Sequence, residues 1–251
     1  MSDFLFEQIL RKVTVMSKDD GRRFLVFDRI EAIREILAKT DYKLQHEGDL
    51  CLIYSKKPIE DQSVTLISSH IDCVYHNCFC EEEEECYKGT FDNSLTNAAV
   101  LYNMLHDRFD ENVVIAFTGD EEKDSAGCWE VMRTLKNANC FVKSAVVTEV
   151  TNEGWEENCA FTLENDLGID LITAHRLIES LKCREWDYML VHEAEPDESW
   201  DLDTAGIPCL TLCSPILGDM HSDDGVLARK CHFHNYLDAL AILTHVFATA
   251  D

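Results

Sequence analysis

The chain has 251 residues, with 48 acidic against 22 basic side chains and a formal charge of −26. Such a balance repels phosphate backbones, and no local basic patch offsets it, so no nucleic-acid partner is expected. At 46 % hydrophobic the composition is globular rather than disordered, and a chain this long buries about 70 % of its unfolded surface, enough to fold without a disulfide or metal staple.

The N-terminal stretch Met1–Gln8 lacks a basic segment leading into an apolar one, so no secretory signal is expected there. An amphipathic helix is predicted over Phe4–Ser17 and a second over Phe27–Lys39, where Ile30, Ile33, Ile36 and Leu37 share a face. A strand follows at Leu50–Tyr54. Val64–Ile67 is a continuous apolar and β-branched run, as required of a strand buried on both faces, and the pattern recurs at Val113–Phe117, Ala145–Val147, Met189–Val191 and Cys209–Leu212. Helical patterns at Leu95–His106, Ala126–Leu135, Leu167–Leu181 and Phe233–Phe247 complete the chain. This alternation predicts an α/β fold, a three-layer α/β/α arrangement with a mixed, mostly parallel sheet. With 4 prolines, 10 glycines and no linker-like stretch, residues 1–251 read as one domain. No run approaches the roughly 18 apolar residues of a membrane span, so no membrane partner is expected. The 12 cysteines, scattered through core-like segments, read as reduced thiols in the cytoplasm.

Ligands of open α/β sheets bind beyond the carboxyl ends of the strands, which directs attention to the polar residues that follow each buried run. Val64–Ile67 leads to His70 and Asp72, Val113–Phe117 to Glu121 and Glu122, and Ala145–Val147 to Glu149. Cys209–Leu212 leads to His221, and Asp92 precedes the helix at Leu95. Singly, each has a plain structural role: a surface turn, carboxylates in a first helical turn, or an N-cap. Jointly they set two histidines and several carboxylates at one edge of one sheet, a donor set suited to divalent metal.

The ordered set His70-x-Asp72, Asp92, Glu121-Glu122, Glu149, His221 resembles the co-catalytic zinc peptidases, the clan of leucyl, glutamyl and endoglucanase-type aminopeptidases and the related carboxypeptidases and aminoacylases. Gly89–Asn93, Gly127 and Gly206-Ile207-Pro208 extend the similarity, which spans Ser63 to Leu227, about two-thirds of the chain. The resemblance implies two divalent metal ions, zinc foremost with manganese or cobalt as options. Asp92 would bridge them, His70 and Glu149 would complete one site, and Glu122 and His221 the other. It further implies that Asp72 orients His70 and that Glu121 is the general base. Glu149 departs from the pattern, since many relatives have aspartate there. Only 21 residues separate His70 from Asp92, so the inserted lid or dimerisation domain of larger relatives is not expected, and a monomer or small homo-oligomer is.

The resulting expectation is a metallo-aminopeptidase acting on peptides or aminoacyl amides. A carboxypeptidase, an N-acyl-amino-acid deacylase and a non-catalytic metal-binding or regulatory relative are the alternatives, and retention of Glu121 speaks for catalysis. Clustered carboxylates should make the metal-free protein gain stability from metal. Asp201 is a candidate for holding a substrate ammonium, for supporting a metal ligand or for capping a helix. The run Glu81–Glu85, among Cys73, His76, Cys78, Cys80 and Cys86, lacks zinc-finger spacing. It reads as a solvated loop or charged edge strand, with flanking of the cleft as the functional option. Asp223 and Asp224 are expected to begin a helix.

Overall fold

The computed structural model describes residues 2–15, 27–192 and 194–250. Its first elements are α1 (Ser2–Val13), α2 (Phe27–Leu37), β1 (Lys43–Glu47), β2 (Cys51–Ser55), β3 (Ser63–His70), β4 (Cys80–Glu82), β5 (Cys86–Gly89) and α3 (Ser94–Leu105). Next come β6 (Val113–Thr118), α4 (Ala126–Asn137), β7 (Phe141–Thr151), β8 (Phe161–Leu167), α5 (Leu171–Lys182) and β9 (Tyr188–Val191). The chain closes with α6 (Glu198–Thr204), β10 (Cys209–Leu217), β11 (Val226–Arg229) and α7 (Phe233–Ala248). Of the first predicted helix, Met16 and Ser17 lie outside the described residues.

The predicted buried runs other than Met189–Val191 form the middle of a mixed sheet. β6, β3, β7 and β10 lie parallel and adjacent in that order, with β2 and then β1 beyond β6, and with β8 and β9 beyond β10. The far end of β10 also pairs with β11, and β5 and β4 continue from there. Successive residues of the central strands feed two separate cores, as side-chain alternation requires. Ile67, Val113, Ile115 and Phe117 pack with α1, α2, α3 and α7, whereas Leu66, Val114 and Ala116 pack with Cys128, Val131 and Leu135 of α4 and Leu202 of α6. Each core thus includes helix residues, and this explains why the runs show no polar alternation.

The structure departs from three sequence expectations. The predicted helix Leu167–Leu181 begins only at Leu171, because Leu167 ends β8 and Asp170 caps α5 by accepting from the backbone N–H groups of Ile172 and Thr173. Asp223 and Asp224 start no helix; they lie in a turn before β11, where Asp223 accepts from the N–H of His76. Met189–Val191, expected to be buried on both faces, is the half-exposed edge strand β9, with Leu190 exposed. The acidic run Glu81–Glu85, by contrast, is the charged edge strand and solvated turn that the sequence suggests: it forms part of β4 and an exposed turn, beside a hollow shared with Phe4, Glu7 and Lys230.

Candidate metal centre

Strand register brings the site residues to one edge. His70 lies opposite Thr118, and pairing of Ser68 with Val147 sets Glu149 level with His70, while Glu149 itself faces Cys213. Beyond β6 the chain turns at Asp120, whose φ of +62° is unusual for a side-chain-bearing residue. Glu121 and Glu122 follow that turn. α4 closes on it through Gly127, where a Cβ would stand 2.4 Å from the Gly119 carbonyl oxygen and 2.6 Å from that of Leu50.

Two groups of metal-ligand type result, His70 with Asp92 and Glu149, and Asp92 with Glu122 and His221, each with its donor atoms within 4.8 Å of one another. Asp92 belongs to both. Its Oδ1 is 3.0 Å from His70 Nε2 and its Oδ2 is 3.3 Å from His221 Nε2. Glu149 Oε2 lies 3.0 Å from His70 Nε2, so the longer side chain reaches the imidazole, and its Oε1 accepts from the N–H of Val150 at 2.8 Å. Glu122 Oε2 is 3.5 Å from His221 Nε2. Asp72 Oδ1 lies 3.2 Å from His70 Nδ1, and Asp72 Oδ2 accepts from the N–H of Glu122 at 3.2 Å, so one carboxylate orients an imidazole and braces the Glu121-Glu122 turn. Asn97 adds a bond from Nδ2 to the His70 carbonyl.

The donor set fits a pair of divalent cations. His70 Nε2, Asp92 Oδ1 and Glu122 Oε1 are buried and make no hydrogen bond, a costly condition for polar atoms unless something else satisfies them. Without a cation the charges compensate one another imperfectly. Burial pushes Glu149 up to about 8, with His70 opposing and Asp92 reinforcing the shift. Burial and then Asp92 push Glu122 up to about 7. Burial alone would lower the His70 imidazole, yet Glu149, Asp72 and Asp92 hold it well above its ordinary value. His221 rises to about 9, chiefly through Asp92. Asp92 itself is held below the usual carboxylate range by the two imidazoles, against its burial.

Glu121 belongs to neither group, and burial drives its carboxyl up to about 9, with Glu149, Glu198 and Asp92 adding to the shift and His70 opposing it. It lines a cleft of about 650 Å³ together with Asp92, Glu122, Glu149 and His221. The cleft wall adds Glu153, Glu164, Glu195, Asp197 and Asp219, against Lys123 as the single lysine or arginine among the described lining residues. Asp201 is not on this wall. It lies in α6, where its Oδ1 accepts from the Trp129 indole N–H at 2.8 Å, a bond between α6 and α4.

Two carboxylates of the neighbourhood escaped the sequence reading. Asp197 caps α6 and accepts from Thr211 Oγ1 at 2.6 Å. Glu198 is buried, accepts from Ser68 Oγ at 2.6 Å and keeps its Oε1 unpartnered. Both stand close to Asp201 in the sequence, but their partners lie in strands β3 and β10, and no local signal marks them.

No protein family model matches the sequence, and no curated protein matches it. Solved structures share its fold. An aminopeptidase from the archaeon Desulfurococcus kamchatkensis superposes with a TM-score of 0.74 at 11 % identity, over 100 % of this chain and 96 % of that one. The Pyrococcus horikoshii TET1 peptidase, described as assembling into a tetrahedron or a large octahedral shell, gives 0.69 at 10 % identity over 95 % and 99 %. A Thermotoga maritima structure titled endoglucanase gives 0.66 at 12 % identity over 95 % and 98 %. At these identities the likeness is one of fold.

Proposed function

We propose that this protein is a dinuclear metal-dependent amide hydrolase, an aminopeptidase in its preferred reaction, built on a three-layer α/β/α frame. The observation that carries the reading is Asp92, whose two oxygens face two different imidazoles, each backed by a further carboxylate. Two divalent cations, zinc by preference for this imidazole and carboxylate set, would polarise a scissile carbonyl and acidify a water molecule.

The chain's own groups do the rest. His70 and Glu149 hold one side of the centre and Glu122 and His221 the other, while Asp72 fixes the His70 ring through Nδ1. Glu121 takes the proton of the attacking water and delivers it to the leaving nitrogen. With positive charge on the ligand side, its carboxyl falls from about 9 toward the range where a base works near neutrality. The acidic wall of Glu153, Glu164, Glu195, Asp197 and Asp219 suits a substrate's α-ammonium and disfavours a terminal carboxylate, which supports an aminopeptidase over a carboxypeptidase or deacylase. Two imidazoles among the carboxylates also speak against glycosidase chemistry, which needs a carboxyl pair and no metal donors.

The deciding experiment compares Glu121→Gln with wild type on aminoacyl and N-acyl amides, with metal content measured on both. The variant should keep its metal and lose about 10²- to 10⁴-fold in rate, the share a general base supplies. Full activity in Glu121→Gln, or activity confined to N-acyl amides, would remove the reading.

A further inference from the structure

A third group of metal-ligand type lies away from the cleft. His46 of β1, Cys51 of β2 and Glu130 of α4 place an imidazole nitrogen, a sulfur and a carboxylate oxygen within 4.8 Å of one another. The approach depends on the absence of a side chain at Gly48, where a Cβ would stand 2.1 Å from Glu130 Oε1 and 3.0 Å from His46 Nε2. Glu130 accepts from the N–H groups of Asp49 at 3.1 Å and Leu50 at 2.8 Å, one on each oxygen, which leaves a lone pair on both. His46 Nε2 is 3.4 Å from Thr134 Oγ1, the weak end of hydrogen bonding, so the ring nitrogen is not committed elsewhere.

We propose that His46, Cys51 and Glu130 form a third metal site, taking Zn²⁺, that pins the β1–β2 hairpin to α4. Sulfur, nitrogen and carboxylate donors from three elements suit zinc, with solvent in the fourth position on the half-exposed His46 side. On binding, the Cys51 S–H bond breaks, its proton leaves to solvent and an S–Zn bond forms. One thiolate and one carboxylate then neutralise the ion, which suits a buried sulfur. Burial and Glu130 push the free thiol up to about 12, so the cysteine is protonated until metal arrives. The site also braces the cleft. The Leu50 carbonyl accepts from the Gly119 N–H at 2.8 Å, directly before the turn that carries Glu121 and Glu122.

Cobalt loading of the full chain gives the test, because cleft ligands of imidazole and carboxylate produce no thiolate-to-cobalt charge-transfer absorption. That absorption should be present in wild type and in Glu122→Gln, and absent in Cys51→Ser and in His46→Gln. Zinc content should drop by one equivalent per chain in Cys51→Ser relative to wild type. Gly48→Ala, which keeps all three ligands, should lose the absorption as well. His46→Gln, at a half-exposed position, decides the matter if Cys51→Ser fails to fold. Absence of the absorption in wild type, its survival in Cys51→Ser or His46→Gln, or equal zinc content would overturn the site.

Discussion

Asp92 and Asp72 sit 20 residues apart in the chain and do different work on the same histidine. Asp92 meets His70 at Nε2 and His221 as well, whereas Asp72 meets His70 only at Nδ1. Asp92→Asn should therefore abolish binding at both positions, read as metal per chain after desalting. Asp72→Asn should leave stoichiometry intact and weaken affinity by about 10- to 100-fold, the usual effect of removing a ligand's hydrogen-bonding partner. Equal losses in the two variants would contradict the division of roles. His70, Glu122, Glu149 and His221 were legible in the sequence because each follows a buried run by two to nine residues, at a place where a polar side chain has no packing reason to be, and Asp92 because it stands just ahead of the helix at Leu95. Glu198 was not legible. Its burial is compensated by Ser68, 130 positions away, and nothing near Glu198 in the sequence marks that partner.

Elements differ in how much of themselves they print in the sequence. β3, β6 and β10 were readable because both faces are buried and the runs are uniformly apolar or β-branched. β8 was not, since Glu164, Asn165 and Asp166 interrupt it, and the two buried ones are satisfied by Thr162 Oγ1 and by Asp197 with the Glu195 carbonyl. The α4 N-terminus shows a tighter constraint than any pattern reveals. Gly127 lets the helix approach Gly119 and Leu50 closely enough for the Gly127 N–H to reach the Gly119 carbonyl at 3.0 Å. Gly127→Ala should force these backbones apart, at a cost of about 1–3 kcal/mol typical of overpacking. It should also lower kcat more than the loss of stability accounts for, because Glu121 and Glu122 ride on the displaced turn. Thermal unfolding with kinetics at a temperature where the variant is fully folded separates the two effects.

Over the whole molecule, charge divides into a solvated acidic shell and a set of carboxyls held out of water. Glu121, Glu122, Glu149 and Glu198 all have pKa values raised by burial above the carboxylate range. The folded metal-free protein therefore binds more protons than the unfolded chain above about pH 4.5. Its stability should fall as pH rises from about 4.5 to about 9, as these carboxyls give up their protons in the folded state. His221, raised to about 9, acts in the same direction, since its protonated form supports the fold below pH 6.5 and is lost on the way to 9. Asp92, depressed, contributes a constant amount across that interval. A melting series on chelator-treated protein from pH 5 to about 9 should slope downward, and saturating Zn²⁺ should raise and flatten it. A flat metal-free series, or a melting temperature indifferent to Zn²⁺, Mn²⁺ and Co²⁺, would count against a cation-filled centre.

The two imidazoles of the cleft differ sharply in shelter: the His70 side chain is 2 % exposed and rests at a strand end, whereas that of His221 is 56 % exposed on the turn between β10 and β11. Occupancy should accordingly be unequal in time as well as in strength. The ion beside His221 would be the exchangeable one, drawn off first by a chelator and restored first from solution. The ion beside His70 would stay for much longer. Removal should then run in two phases, and a singly loaded species should accumulate between them, so that the protein would respond to the surrounding metal supply without unloading its inner position.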